Sequence, residues 1–157
     1  MLAAYAMTLS FAKKVEIDFR GYRRRRVGDP NDDNMLDVHI AVSVEEFAAQ
    51  VDSVFVVMEL ASLLNSLRTL YGSLGASVDF VSQREHFRLH LAGDGLGHIT
   101  CSGAICSDAG RNRAQFAFEF DQTELRAAIS QLEKVIPTFP DRTDNQTLQA
   151  TAATPRR

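Results

Sequence analysis

The chain has little cysteine, no long apolar run and no surplus of positive charge, and each shortage excludes something. Its two cysteines, Cys101 and Cys106, lie on what reads as one strand at a spacing that points their side chains to opposite faces. That resists a disulfide, and two cysteines alone make no zinc site. Free thiols in a reducing compartment are the expectation. No apolar stretch approaches the roughly 18 residues needed to span a bilayer. The formal net charge is −3, from 17 Lys+Arg against 20 Asp+Glu. Phosphate backbones reward the opposite sign, so nucleic acid is a poor partner and a basic protein a better one. Motifs are missing too. There is no G-x-S-x-G, no Walker A and no G-x-G-x-x-G, and neither cysteine is flanked by a histidine. Gly93-Asp94-Gly95-Leu96-Gly97 is glycine-rich but links two strands, as a hairpin turn does.

What remains is the make-up of one globular domain: 45% hydrophobic and 24% charged in 157 residues. The apolar start, residues 1–12, precedes Lys13 and Lys14, the reverse of the order a secretory signal needs. It reads as a loose extension of a cytoplasmic protein, with Met1 or Met7 as the functional start. Val15, Ile17 and Phe19 alternate with polar residues, as do Leu36, Val38, Ile40 and Val42. Period-two alternation marks half-buried strands. Between them lie Arg23-Arg24-Arg25-Arg26 and a Gly-Asp-Pro-Asn run of turn chemistry. A third strand is expected near residues 44–52. Leu60, Leu63, Leu64, Leu67, Leu70 and Tyr71 form one helical stripe, ended by Gly72 and Gly75. Four more strands follow around Val78, Leu89, Cys101 and Phe118, separated by turn signals, as in an antiparallel meander. Asp121 with Glu124 resembles a capping box at the start of a second helix, whose stripe runs from Leu125 to Ile136 before Pro137 and Pro140. There are no internal sequence repeats.

The assembled expectation is a single α+β domain over residues 13–140. It has two layers: a largely antiparallel sheet of six or seven strands, with two amphipathic helices packed on one face. Residues 141–157, polar and small, read as a disordered tail.

Histidine offers the best enzymatic candidate. His86, His90 and His98 cluster in sequence, but residues four apart on a strand stand about 13 Å from one another. His86 and His90 therefore cannot share a metal ion unless His98 or Asp94 folds back beside one of them. No catalytic residue, metal ligand set or cofactor site is assigned. Arg23 to Arg26 could meet nucleic acid, but Asp29, Asp32, Asp33 and Asp37 follow at once and cancel that field.

Four segments together resemble the WapI-type immunity proteins of bacterial polymorphic toxin systems. They are Asp32-Asp33-Asn34-Met35-Leu36; Glu59-Leu60 with Leu63-Leu64 and Leu67; the hairpin Leu89 to Ile99; and Phe116-x-Phe118-x-Phe120-Asp121-Gln122-Thr123-x-Leu125. Met35 stands where the family pattern favours Trp. The resemblance spans roughly residues 15–139. It implies a non-enzymatic protein that binds and neutralises a cognate toxin domain in the producing cell, with no catalytic residues to carry over. The competing readings are a small metal- or ligand-binding enzyme built on His86, His90 and His98, and a structural protein. For partner binding two surfaces are expected. One is the polar sheet face carrying His86, Arg88, His90, Thr100, Ser102 and Glu119. The other is the acidic loop of Asp29, Asp32, Asp33 and Asp37. Neither nucleic acid nor membrane is expected as a partner, and oligomeric state is left open.

Overall fold

The computed structural model describes residues 7–143. Two antiparallel four-stranded sheets build it, each running in chain order and each followed by a long helix. The first sheet comprises β1 (Met7–Phe11), β2 (Val15–Tyr22), β3 (Met35–Val44) and β4 (Phe47–Val56). A four-residue helix, α1 (Pro30–Asp33), sits between β2 and β3. The helix α2 (Val57–Gly72) leads into β5 (Ser77–Val81), β6 (Phe87–Gly93), β7 (His98–Cys106) and β8 (Arg113–Asp121), the second sheet. The helix α3 (Gln122–Thr138) completes it.

The fold is therefore α+β, but with two sheets and three helices in place of one six- or seven-stranded sheet and two helices. The seven expected strands are all present. The correction lies in their grouping, because α2 takes the chain out of the first sheet before β5 begins. The eighth strand, β1, comes from residues placed by sequence in a loose extension. Leu9 and Phe11 alternate inward from it and are fully buried. Two consecutive residues with left-handed backbone, Ala12 and Lys13, turn the chain from β1 into β2. The chain thus repeats a ββββα unit that its residue pattern does not reveal. The units interlock: α2 lies against β5, α3 lies against β1, and the helices touch each other.

Both sheets turn their alternating apolar faces into one core. Phe55 of β4 meets Phe80 and Phe87 of the second sheet at centroid distances of 5.6 and 6.0 Å, and Phe11 meets Phe120 at 6.3 Å. Aromatic rings thus join the sheets at two places. The helix stripes enter the same core. Leu60, Leu63, Leu67 and Leu70 are buried from α2, and Leu125, Ala128, Leu132 and Val135 from α3.

The helix starts differ chemically. Asp121 caps α3, its Oδ1 accepting from Thr123 N at 2.9 Å and Glu124 N at 3.3 Å. Val56 has no such acceptor, so Glu59 reaches back: its Oε1 accepts from Val56 N at 2.7 Å, and its Oε2 from Gln83 N at 2.8 Å. Pro137 falls inside the last turn of α3 instead of ending it. Asp141 to Thr143, expected in a disordered tail, pack back on the body. The Arg142 guanidinium lies 3.4 Å above the Tyr22 ring, and Arg142 N donates to Asn34 Oδ1 at 2.8 Å. The rest of the expected tail, and residues 1–6 of the expected extension, lie outside the described residues.

Candidate partner-binding surface

The outer face of the second sheet is built by register. Pairing sets Arg88 opposite Ala104, His90 opposite Ser102 and Asp79, and Thr100 opposite Glu119. Their neighbours along each strand point into the core, so these side chains share the outward face. The face forms a shallow trough of about 650 Å³, lined by Asp79, Arg88, His90, Ser102, Arg113 and Gln115 among others. Within it His90 Nδ1 lies 2.7 Å from Asp79 Oδ1. Arg88 Nη2 donates to Glu85 Oε1 at 2.6 Å. Arg88, His90, Thr100, Ser102 and Glu119 therefore do share one surface, as their alternation predicts.

His86 does not. It precedes β6 and is only 9% exposed. Its Nδ1 lies 2.7 Å from Ser53 Oγ on β4, and its Nε2 lies 2.7 Å from Asp108 Oδ1 in the β7–β8 connection. The ring ties the first sheet to the second. Ser53 and Asp108 were not recognisable as its partners, being 33 and 22 residues away in sequence. The three side chains border a cleft of about 520 Å³, also lined by Arg20, Arg23, Asp52 and Arg84. Hydroxyl, imidazole and carboxylate in a row have the order of a proton relay, but Ser53 is itself buried at 6% exposure.

The remaining histidines are each engaged by a different carboxylate, His98 by Asp94 at 3.0 Å and His39 by Asp52 at 2.7 Å. His39, which the sequence did not single out, also lies 2.9 Å from Gln50 Oε1. These contacts show in the titration of the acids. The hydrogen bond from His39 holds Asp52 below the usual carboxylate range, and the backbone N–H of Leu96 does the same for Asp94. No group of three or more His, Cys, Asp or Glu among the described residues is placed to hold a metal.

The acidic loop turns out to be internally matched. Asp29 caps α1, accepting from Asn31 N at 3.0 Å. Asp32 pairs with Arg24 at 3.0 Å and Asp37 with Arg23 at 3.6 Å. Asp33 is fully buried and accepts from Val27 N at 2.8 Å and Gly28 N at 3.0 Å, so it cannot form part of a charged surface. Asn34, also fully buried, donates to Pro30 O and to Thr143 Oγ1. The Asp32 to Leu36 motif thus folds its own loop.

Comparison with known proteins bears on the fold and on the family. In fold, the chain is similar to WHY1 from Arabidopsis thaliana, with a TM-score of 0.53 at 13% identity over 100% of this chain and 98% of that one. It is also similar to the plant transcriptional regulator PBF-2, with a TM-score of 0.50 at 13% identity over 88% and 84%. At such identities the likeness concerns architecture alone. No curated protein matches the sequence. Residues 9–140 match the immunity protein WapI-like family, a span that takes in both sheets from within β1 and all three helices. The chain belongs to the WapI-like immunity protein family.

Proposed function

We propose that the protein is a non-enzymatic immunity protein that binds a cognate bacterial toxin domain and blocks it in the cytoplasm of the producing cell. Family membership over residues 9–140 carries this reading. The trough on the second sheet supports it by offering polar side chains on paired strands, a rigid surface for a protein partner. No cofactor or membrane enters the mechanism, and no helix among the described residues is long and apolar enough to cross a membrane. The test is co-expression with the C-terminal domain of the upstream gene's product as the candidate toxin. Growth should be rescued and the two proteins should co-purify; a toxin that kills regardless overturns the proposal.

Two other readings have an observation behind them. The row of Ser53, His86 and Asp108 suggests a hydrolase. In our reading it is a structural tie, so Ser53→Ala should cost about 1–3 kcal/mol in stability. It should still protect cells at a temperature where it is folded. The fold shared with a plant transcriptional regulator suggests nucleic acid. A net charge of −3, with Arg20, Arg23 and Arg24 each beside a carboxylate, works against it. A gel shift with single-stranded and duplex oligonucleotides checks the point.

A further inference from the structure

Most arginines of the described chain are matched. Arg20, Arg23, Arg24, Arg68 and Arg88 each face a carboxylate, and Arg26 and Arg142 bond to carbonyl oxygens. Arg25, Arg84, Arg111, Arg113 and Arg126 have no such partner among the described residues, and three of them, Arg84, Arg111 and Arg113, lie in or beside the two connections at one end of the second sheet. Arg84 lies in the β5–β6 connection. Arg111 and Arg113 lie in and just after the β7–β8 connection, a single 3-10 turn at Asp108–Gly110. A depression of about 300 Å³ opens there, lined by Arg84, Arg88 and Arg113 together with Ser107 and His86. The carboxylates nearby are already engaged, Glu85 with Arg88 and Asp108 with His86.

The corner is stiff. Glu85 N donates to Ser82 O at 2.8 Å, and Cys106 N donates to His86 O at 2.9 Å. Ser107 N donates to Asn112 O at 2.8 Å, while Asn112 N returns a bond to Ser107 Oγ at 3.0 Å. Both connections are thus held before any partner arrives. Guanidinium forks match oxyanions in a bidentate way, and positioned cations left without counter-charge favour a partner that supplies it.

We infer that this corner is the point where the immunity protein grips an acidic segment of its toxin domain, with toxin carboxylates completing the pairs of Arg84, Arg111 and Arg113. The inference rests on the toxin-binding reading. Arg88 and Arg113 line both the corner and the trough, so one partner can occupy the two together. A carboxylate segment fits better than a phosphate backbone. Both paths out of the corner are mixed in charge, with Asp79 paired to His90 in the trough and Asp37 and Asp52 beside Arg23 and Arg20 in the cleft, so neither continues the unmatched positive charge that an extended polyanion would follow. A protein segment touches the corner and ends there.

The experiment measures association of the full chain with an active-site-inactivated toxin domain over a range of salt. Arg84→Glu combined with Arg113→Glu should weaken binding at least about tenfold, chiefly through slower association, and flatten its salt dependence. Arg126→Glu, at an exposed position on α3 without a partner among the described residues, should change binding less than about twofold. The doubly reversed protein should melt like the wild type, because neither side chain has a hydrogen bond or ion pair among the described residues. Wild-type binding with a double variant that binds equally well overturns this inference and spares the toxin reading. A wild type that neither binds nor protects overturns both. A labelled single-stranded oligonucleotide that binds wild type and is lost on the double reversal, with toxin binding intact, reassigns the corner to nucleic acid.

Discussion

Gly103 faces Phe116 across the β7–β8 pair at a spot where a Cβ would stand 2.2 Å from the Arg88 carbonyl oxygen and 2.7 Å from Phe116 Cζ. A backbone oxygen at that range cannot simply swing aside. Gly103→Ala should therefore cost more than about 2 kcal/mol by denaturant titration, through strand displacement instead of lost contact area. The loop acids make a matched pair at the same scale. Asp33→Ala removes a fully buried carboxylate that accepts from the Val27 and Gly28 N–H groups and should cost about 1–3 kcal/mol. Asp32→Ala breaks a largely exposed pair with Arg24 and should cost under about 1 kcal/mol. Equal costs would mean that Asp33 is not the residue organising the loop. Reactivity follows burial in the same way: desolvation pushes the Cys101 thiol up to about 12, keeping it as an inert core side chain.

Among the elements, α2 carries a pH signature at its first turn. Burial pushes the Glu59 carboxyl above its ordinary value of 4.5, against the two backbone N–H groups that favour its charged form. A raised carboxyl favours folding fully below its unfolded value, and that contribution is lost as pH rises through the folded one. Asp52, Asp94 and Asp121 are held low, so their contribution is present above 3.8 and lost below it as pH falls. The two effects occupy different windows. Glu59→Gln should flatten the loss of stability from about pH 4.5 upward and leave the acid limb below about pH 3.8 unchanged. Denaturant midpoints of wild type and variant across that range check it. The helices and strands were legible because a period of 3.6 or 2 belongs to consecutive residues. The α1 turn was not, since four residues of Pro-Asn-Asp-Asp chemistry read equally as loop.

For the molecule as a whole, the chain beyond α3 closes the loop between β2 and β3. Tyr22 Oη donates to Pro140 O at 2.5 Å, and Asn34 bonds to both Arg142 and Thr143. Truncation after Pro140 leaves a buried amide without these partners and should lower the melting temperature by about 4–8 °C. Truncation after Thr143 removes a segment whose only large aliphatic residue is Leu148, and the melting temperature should stay within about 2 °C. A similar loss from both cuts would mean that residues beyond Thr143 contribute to the body.

By itself the sequence determined the class α+β, the inward residues of six strands, the stripe of α3, that of α2 apart from the exposed Tyr71, and the cap at Asp121. It also contained the four segments that resemble the family to which the chain belongs. Each of these is written in neighbouring residues, where alternation and spacing leave a direct mark. Only the tertiary structure decided that the strands divide into two sheets, that β1 joins the first, and that His86 and Asp33 lie inside. Alternation says which side of a strand is wet but not which strand lies next to it. The burial of His86 depends on Ser53 and Asp108, and the packing of Arg142 on Asn34, partners that only the folded chain brings within hydrogen-bonding distance.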